Sequence, residues 1–158
     1  MNLEMDLVSA LAHILELIIA FQFFSELFNG KGKKIVAAAV GFVFYAAACA
    51  AYLLFNKTLL NIVFCFVINA VLAKLFFDCK AKGALLGSLF ISVSDTAADF
   101  IVVTVLGIVG GDIKTYRSSV YAYLLMVLLS KSVLFVLTKA AVYAGLYLRD
   151  KWDASISA

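Results

Sequence analysis

The stretch TLLNIVFCFVINAVLAKLFF, Thr58 to Phe77, carries one charge, Lys74, in twenty consecutive residues and contains neither proline nor glycine. A helix rises 1.5 Å per residue, so about twenty residues reach across roughly 30 Å of hydrocarbon. The stretch does not alternate apolar and polar positions, and a membrane strand needs only about ten residues. It therefore reads as a transmembrane helix. Working outward, four more segments have the same character: Leu7 to Phe28, Ile35 to Phe55, Ala84 to Val109 and Ser118 to Leu148. The links between them are short, polar and mostly glycine-bearing, as in Asn29-Gly30-Lys31-Gly32-Lys33-Lys34, and such links are where helices stop.

The whole composition agrees. Of 158 residues 65% are hydrophobic and 15% charged, and proline is absent; the mean hydropathy is +1.07. A soluble domain is about half apolar and a quarter charged. The expected fold class is thus all-α, a polytopic transmembrane bundle of about five helices forming a single domain over residues 1–158. Nucleic acid is excluded as a partner, because the net charge of +3 comes from basic residues scattered between apolar runs with no basic face.

Those basic residues set an expected orientation. Lys31, Lys33, Lys34, Lys74, Lys80, Lys82, Arg149 and Lys151 fall on one side, and only Lys57, Lys114 and Arg117 on the other. Cytoplasmic loops collect Lys and Arg, which places the N-terminus outside and the C-terminus in the cytoplasm of a multi-pass cell-membrane protein. The acidic start, with Glu4 and Asp6, lacks the positive region of a secretory signal. The fifth segment, at about 46 Å as a helix, is too long for one crossing. Either it tilts, or its last turns emerge on the cytoplasmic side, with Lys139 near that interface. An emerging helix could carry movement to a partner, or could simply be long.

A charge near the bilayer centre costs about 2.5 to 3.5 kcal/mol on insertion scales, which makes every intramembrane charge a candidate for function. Ser88, Ser92, Asp95 and Asp99 step by four, three and four, and so share one helical face; Ser9, His13, Glu16 and Ala20 do the same. Counting helical rise from the segment ends puts His13 and Glu16 about 9 to 14 Å, Asp99 and Asp95 about 15 to 21 Å, and Lys131 about 20 Å below the outer surface. The candidate site is therefore His13, Glu16, Asp95, Asp99 and Lys131, from the first, fourth and fifth segments. Three roles stay open for it: charge neutralisation that pins helices, a ligand pocket open to the outer face, or passage of protons or cations. Asn61 and Asn69 are expected to hydrogen-bond across helices.

Metal and cofactor chemistry is not expected. His13 and Glu16 stand at a spacing some metal sites use, but there is no second imidazole or thiolate beside them. Cys49, Cys65 and Cys79 show neither disulfide nor zinc spacing. The glycines at 107, 110 and 111 do not form a phosphate loop, and no Ser/His/Asp or Cys/His arrangement is present, so no enzymatic activity is expected.

The region from Leu59 to Leu137 resembles the membrane receptor region of Agr-type, peptide-sensing histidine kinases of the GHKL class. The matching features are Leu60-Asn61 opening a span and Lys80-Ala81-Lys82-Gly83-Ala84-Leu85-Leu86 as a basic loop running into a helix. Ser94-Asp95 in mid-span, Leu129-Ser130-Lys131 in the next helix, and the basic turn Lys31-Gly32-Lys33-Lys34 complete them. The resemblance implies a receptor that binds an extracellular peptide or other signal within its bundle and moves its last helix to alter a cytoplasmic kinase. The sequence to Ala158 carries no phosphoacceptor-histidine helix and no ATP-binding domain, and its single histidine, His13, lies in the first span. The expectation is therefore a signal-sensing or interaction module without kinase activity, in a bacterial-type inner membrane. Its expected partners are the lipid bilayer, an extracellular peptide or small molecule, and a second copy or a cytoplasmic signalling protein. The competing expectation is a small transporter or a substrate-binding membrane subunit of vitamin-uptake type. Transporters break helices with proline or glycine at the midplane, and here proline is absent.

Overall fold

The computed structural model describes residues 3–28, 30, 32, 34–55, 58–108 and 119–156. Among the described residues there are five helices: α1 (Leu3–Leu27), α2 (Lys34–Phe55), α3 (Thr58–Phe76), α4 (Ala81–Ile108) and α5 (Val120–Ile156). All five are long and apolar enough to cross a membrane, and this is the all-α bundle the sequence predicts. The helices differ from the predicted spans at their ends. α1 begins earlier, with Glu4 and Asp6 in its first turn where carboxylates complement the helix dipole. α4 takes in residues from Ala81, and α5 runs unbroken for 37 residues, about 55 Å, well past the apolar segment that ends at Leu146. The predicted span ends at Val109 and Ser118 lie outside the described residues. So do Lys31, Lys33, Lys57, Lys114 and Arg117, on which part of the orientation count rests.

Each helix packs on its neighbour in sequence, and α5 closes back onto α1. With four antiparallel steps, α1 and α5 run the same way, so their N-termini share one end of the bundle with the C-terminus of α2 and the N-terminus of α3. At the opposite end Gly30 and Phe77 form an isolated antiparallel bridge, and Gly32 turns the chain into α2 with φ +78°, a left-handed conformation that glycine adopts without a Cβ clash.

α1 is the centre of the bundle. Half of its most apolar window is buried, against 22–28% for the other four helices, and each hydrophobic cluster includes α1 residues. The largest cluster is an aromatic plug at the Gly30–Phe77 end. Phe24 sits 5.5 Å from the ring of Phe23 and 5.9 Å from that of Phe77, Phe23 stacks on Phe90 at 5.5 Å, and Ala20, Ala73, Ala84, Ile91 and Val142 fill the space around them. Gly87 makes this possible: a Cβ there would lie 2.7 Å from Cε1 of Phe24. In lipid the hydrophobic effect gives little drive for helix association, so close packing of this kind carries more of the load. The outer faces are apolar and exposed, as at Ile35, Leu59, Phe100 and Tyr143, and solvated hydroxyls are avoided locally. Ser88, Thr96 and Ser132 each return their hydroxyl to the carbonyl four residues back, at 2.7, 2.9 and 2.8 Å, which satisfies the group without help from a neighbour.

Candidate functional site

The polar face of α1 points inward: Ser9, His13 and Glu16 are all buried. His13 Nδ1 donates to the Ser9 carbonyl at 2.8 Å, and Nε2 lies 3.1 Å from Oδ1 of Asn61 on α3. Both ring nitrogens are engaged, and the imidazole is fixed between two helices. Glu16 is 5% exposed. Its contacts are the Tyr45 hydroxyl of α2, 3.4 Å from Oε1, and the thiol of Cys65 on α3, a weak donor. That hydroxyl has one proton, and Asn69 Oδ1 of α3 lies nearer, at 2.8 Å. An ordinary O–H···O bond spans about 2.5–3.0 Å, so the proton serves Asn69, and Glu16 is left with a long contact.

α4 and α5 meet this face through two adjacent residues of α5. Lys131 forms an ion pair with Asp95, and Ser130 donates to Asp99. The lysine is almost fully buried and the Asp95 side chain is 20% exposed, whereas Asp99 is open. Near the α1 N-terminus the Ser9 and Tyr123 hydroxyls approach at 3.3 Å, and the Tyr52 ring lies 6.3 Å from that of His13.

All five predicted site residues line one cavity. Its volume is about 210 Å³, and its other walls are Ser9, Ala12, Tyr52, Thr58, Asn61, Val103, Tyr123, Met126 and Val127. Counting helical rise, Glu16 and Asp95 are each about 20 Å from the near ends of α1 and α4, and Lys131 about 17 Å from the start of α5. The cavity is thus a half-open pit entering from the end that holds the N-termini of α1, α3 and α5, and the aromatic plug fills the bundle beyond it.

The predicted stripe on α4 divides. Asp95 and Asp99 reach the cavity, but Ser88 bonds its own helix. Ser92 lines an apolar groove between α3 and α4, where its hydroxyl is buried without a partner among the described residues. Ala20 belongs to the plug, not to the pit. Asn61 and Asn69 bond across helices as expected. Sequence reasoning missed Tyr45, although a lone tyrosine deep in an alanine-rich span calls for a partner for its hydroxyl. It also missed Glu26, which pairs with Lys139 across the α1–α5 contact. Lys139 is therefore tied to α1 as well as placed near an end of the bundle. No three His, Cys, Asp or Glu side chains converge closely enough to hold a metal ion among the described residues.

The fold and its apolar exterior define a multi-pass, all-α membrane protein with an internal polar cavity. Compared with known proteins, the chain matches no family model, no curated sequence and no solved structure.

Proposed function

We propose that the protein is a membrane-embedded sensing module that binds an extracellular peptide or small molecule in the polar pit and passes the event along α5. The observation that carries this reading is the convergence of His13, Glu16, Asp95, Asp99 and Lys131 on a pit that is blocked at its inner end. A route for transport would need polar groups continuing through the bundle, and Phe23, Phe24, Phe77 and Ile91 occupy that path. The plug therefore counts against the transporter alternative. α5 is suited to relay: Lys131 holds it to α4 at the pit and Lys139 holds it to α1 about 12 Å further along, and the helix continues to Ile156. In this reading the pit faces outward and the end of α5 faces the cytoplasm, as the basic loops predict.

The test uses the full chain in lipid nanodiscs, exposed to the secreted fraction of the cells that express it, with bound peptides and small molecules read by mass spectrometry. A component retained by the parent protein and lost from both Asp95→Asn and Lys131→Met supports the proposal. Identical retention by all three, or none by any, would sink it.

A further inference from the structure

The pit is unbalanced in charge. Three carboxylates, Glu16, Asp95 and Asp99, face it, against a single ammonium, Lys131, among the described residues. Lys131 is committed to Asp95. Asp99 has a hydroxyl for a partner, and Glu16, though 5% exposed, has only the long contact to Tyr45 and the weak thiol donor of Cys65. A buried carboxylate needs a cation or several good donors to offset the loss of water, and Glu16 has no ion pair at contact distance among the described residues, only the field of Lys131, which Asp95 and Asp99 share. Two tyrosine rings, Tyr52 and Tyr123, stand along the walls, and the face of such a ring attracts a cation. A volume of about 210 Å³ equals about seven waters at ≈ 30 Å³ each, enough for an alkylammonium or alkylguanidinium group.

We infer that the pit recognises its ligand through an organic cation, an ammonium or guanidinium group, which sits against Glu16 with Asp99 nearer the mouth. This rests on reading the pit as a binding site and names the ligand chemistry that the site selects. The apolar part of the ligand has a place as well. A second hollow of about 250 Å³ lies between α1 and α2, lined by Leu17, Phe42, Cys49 and Leu53, and His13 and Tyr45 wall it beside the acidic site. The favoured ligand is therefore amphipathic, with a cationic head in the pit and an aliphatic or aromatic portion toward α2. A free amine and the lysine or arginine side chain of a peptide share this chemistry.

The experiment places the full chain in phosphatidylcholine nanodiscs, which add no net lipid charge, and measures binding by saturation-transfer NMR. The small-molecule probes are n-butylammonium and n-butylguanidinium, with n-butanol as neutral isostere and butyrate as the anion. N-acetyl-lysinamide and its isostere N-acetyl-norleucinamide form the peptide arm. The expected result is saturable binding of the cations alone, weakened tenfold or more in Glu16→Gln and in the more exposed Asp99→Asn, and unchanged in Lys139→Met at the far end of the bundle. Preference for the peptide cation over the butyl cations identifies a peptide ligand, and the reverse identifies a free amine. Binding of butyrate in place of the cations overturns the inference but leaves the pit as a binding site. Equal binding of butanol and butylammonium, or affinity indifferent to both carboxylate substitutions, also overturns it. If no probe binds although cysteines placed in the pit react with water-soluble reagents, the cation assignment fails alone; if those cysteines are also unreactive, the reading of the pit fails with it.

Discussion

Replacing Lys131 by methionine keeps the length of the side chain and removes its charge, and the environment of the residue sets the consequence. Lys131 is 9% exposed at its side chain and its partner Asp95 20%. Breaking a fully buried pair costs about 3–5 kcal/mol, mostly because the remaining charge is left without compensation. Some water reaches Asp95, which lowers the figure, but Glu16 and Asp99 lose the same cation, which raises it. We expect Lys131→Met to destabilise the fold by about 3 kcal/mol and Asp95→Asn by about 2 kcal/mol, since in the second case the lysine still faces two carboxylates. The double variant should cost about 2 kcal/mol, because the paired charge is gone but Glu16 and Asp99 stay uncompensated. Non-additivity of about 3 kcal/mol is the signature of a formed pair. Pulse proteolysis of the purified chain in mixed micelles of rising SDS content measures these differences through the unfolded population. Single effects that add to within about 0.5 kcal/mol would refute the pairing and the α4–α5 link built on it.

Three further outcomes follow from the packing. Gly87→Ala forces a Cβ to 2.7 Å from Phe24, and overpacking of this kind costs about 1–3 kcal/mol; Gly107→Ala, with nothing within 4 Å, should be neutral or gain up to about 1 kcal/mol from helix propensity, and the same proteolysis assay separates the two. Lys139→Met should cost less than about 1 kcal/mol, because its pair with Glu26 is 28% and 30% exposed and partly hydrated pairs are weak; a loss equal to that of Lys131→Met would contradict the ranking. Tyr45→Phe leaves Asn69, only 1% exposed, without the hydroxyl that reaches it, so a loss of about 1–3 kcal/mol is expected, and an unchanged unfolding midpoint would show that Asn69 finds another donor.

Much of this architecture can be read from the chain because lipid removes the alternatives. Five runs of about twenty apolar residues admit few other folds, and a charge inside such a run has to meet a partner or a cavity. That is why His13, Glu16, Asp95, Asp99 and Lys131 could be singled out by spacing alone, and the structure places all five on one cavity. The order of packing was less legible. In a soluble helix the buried face is the apolar one, whereas here both the lipid-facing and the packed faces are apolar. Nothing in the pattern marks α1 as the central helix or Phe24 as the middle of a plug. The choice of Asp95 over Asp99 for Lys131 depends on the rotation of α4 against α5, which a stripe of four residues does not fix. Glu26 escaped notice for a related reason: it sits at the end of a span, where a charge needs no special account, and its partner Lys139 is 113 residues away in the chain.

The central claim is that a polar pit enters the bundle from one side only and ends at an aromatic plug. It can be tested by placing single cysteines at Ala12 and Val103 in the pit and at Ala20 and Ala84 in the plug, in a background with Cys49, Cys65 and Cys79 replaced by alanine. Intact cells are then treated with a membrane-impermeant thiol reagent. The account predicts rapid labelling at positions 12 and 103 and none at 20 and 84. Equal labelling of the plug positions, or protection of the pit positions, would contradict it.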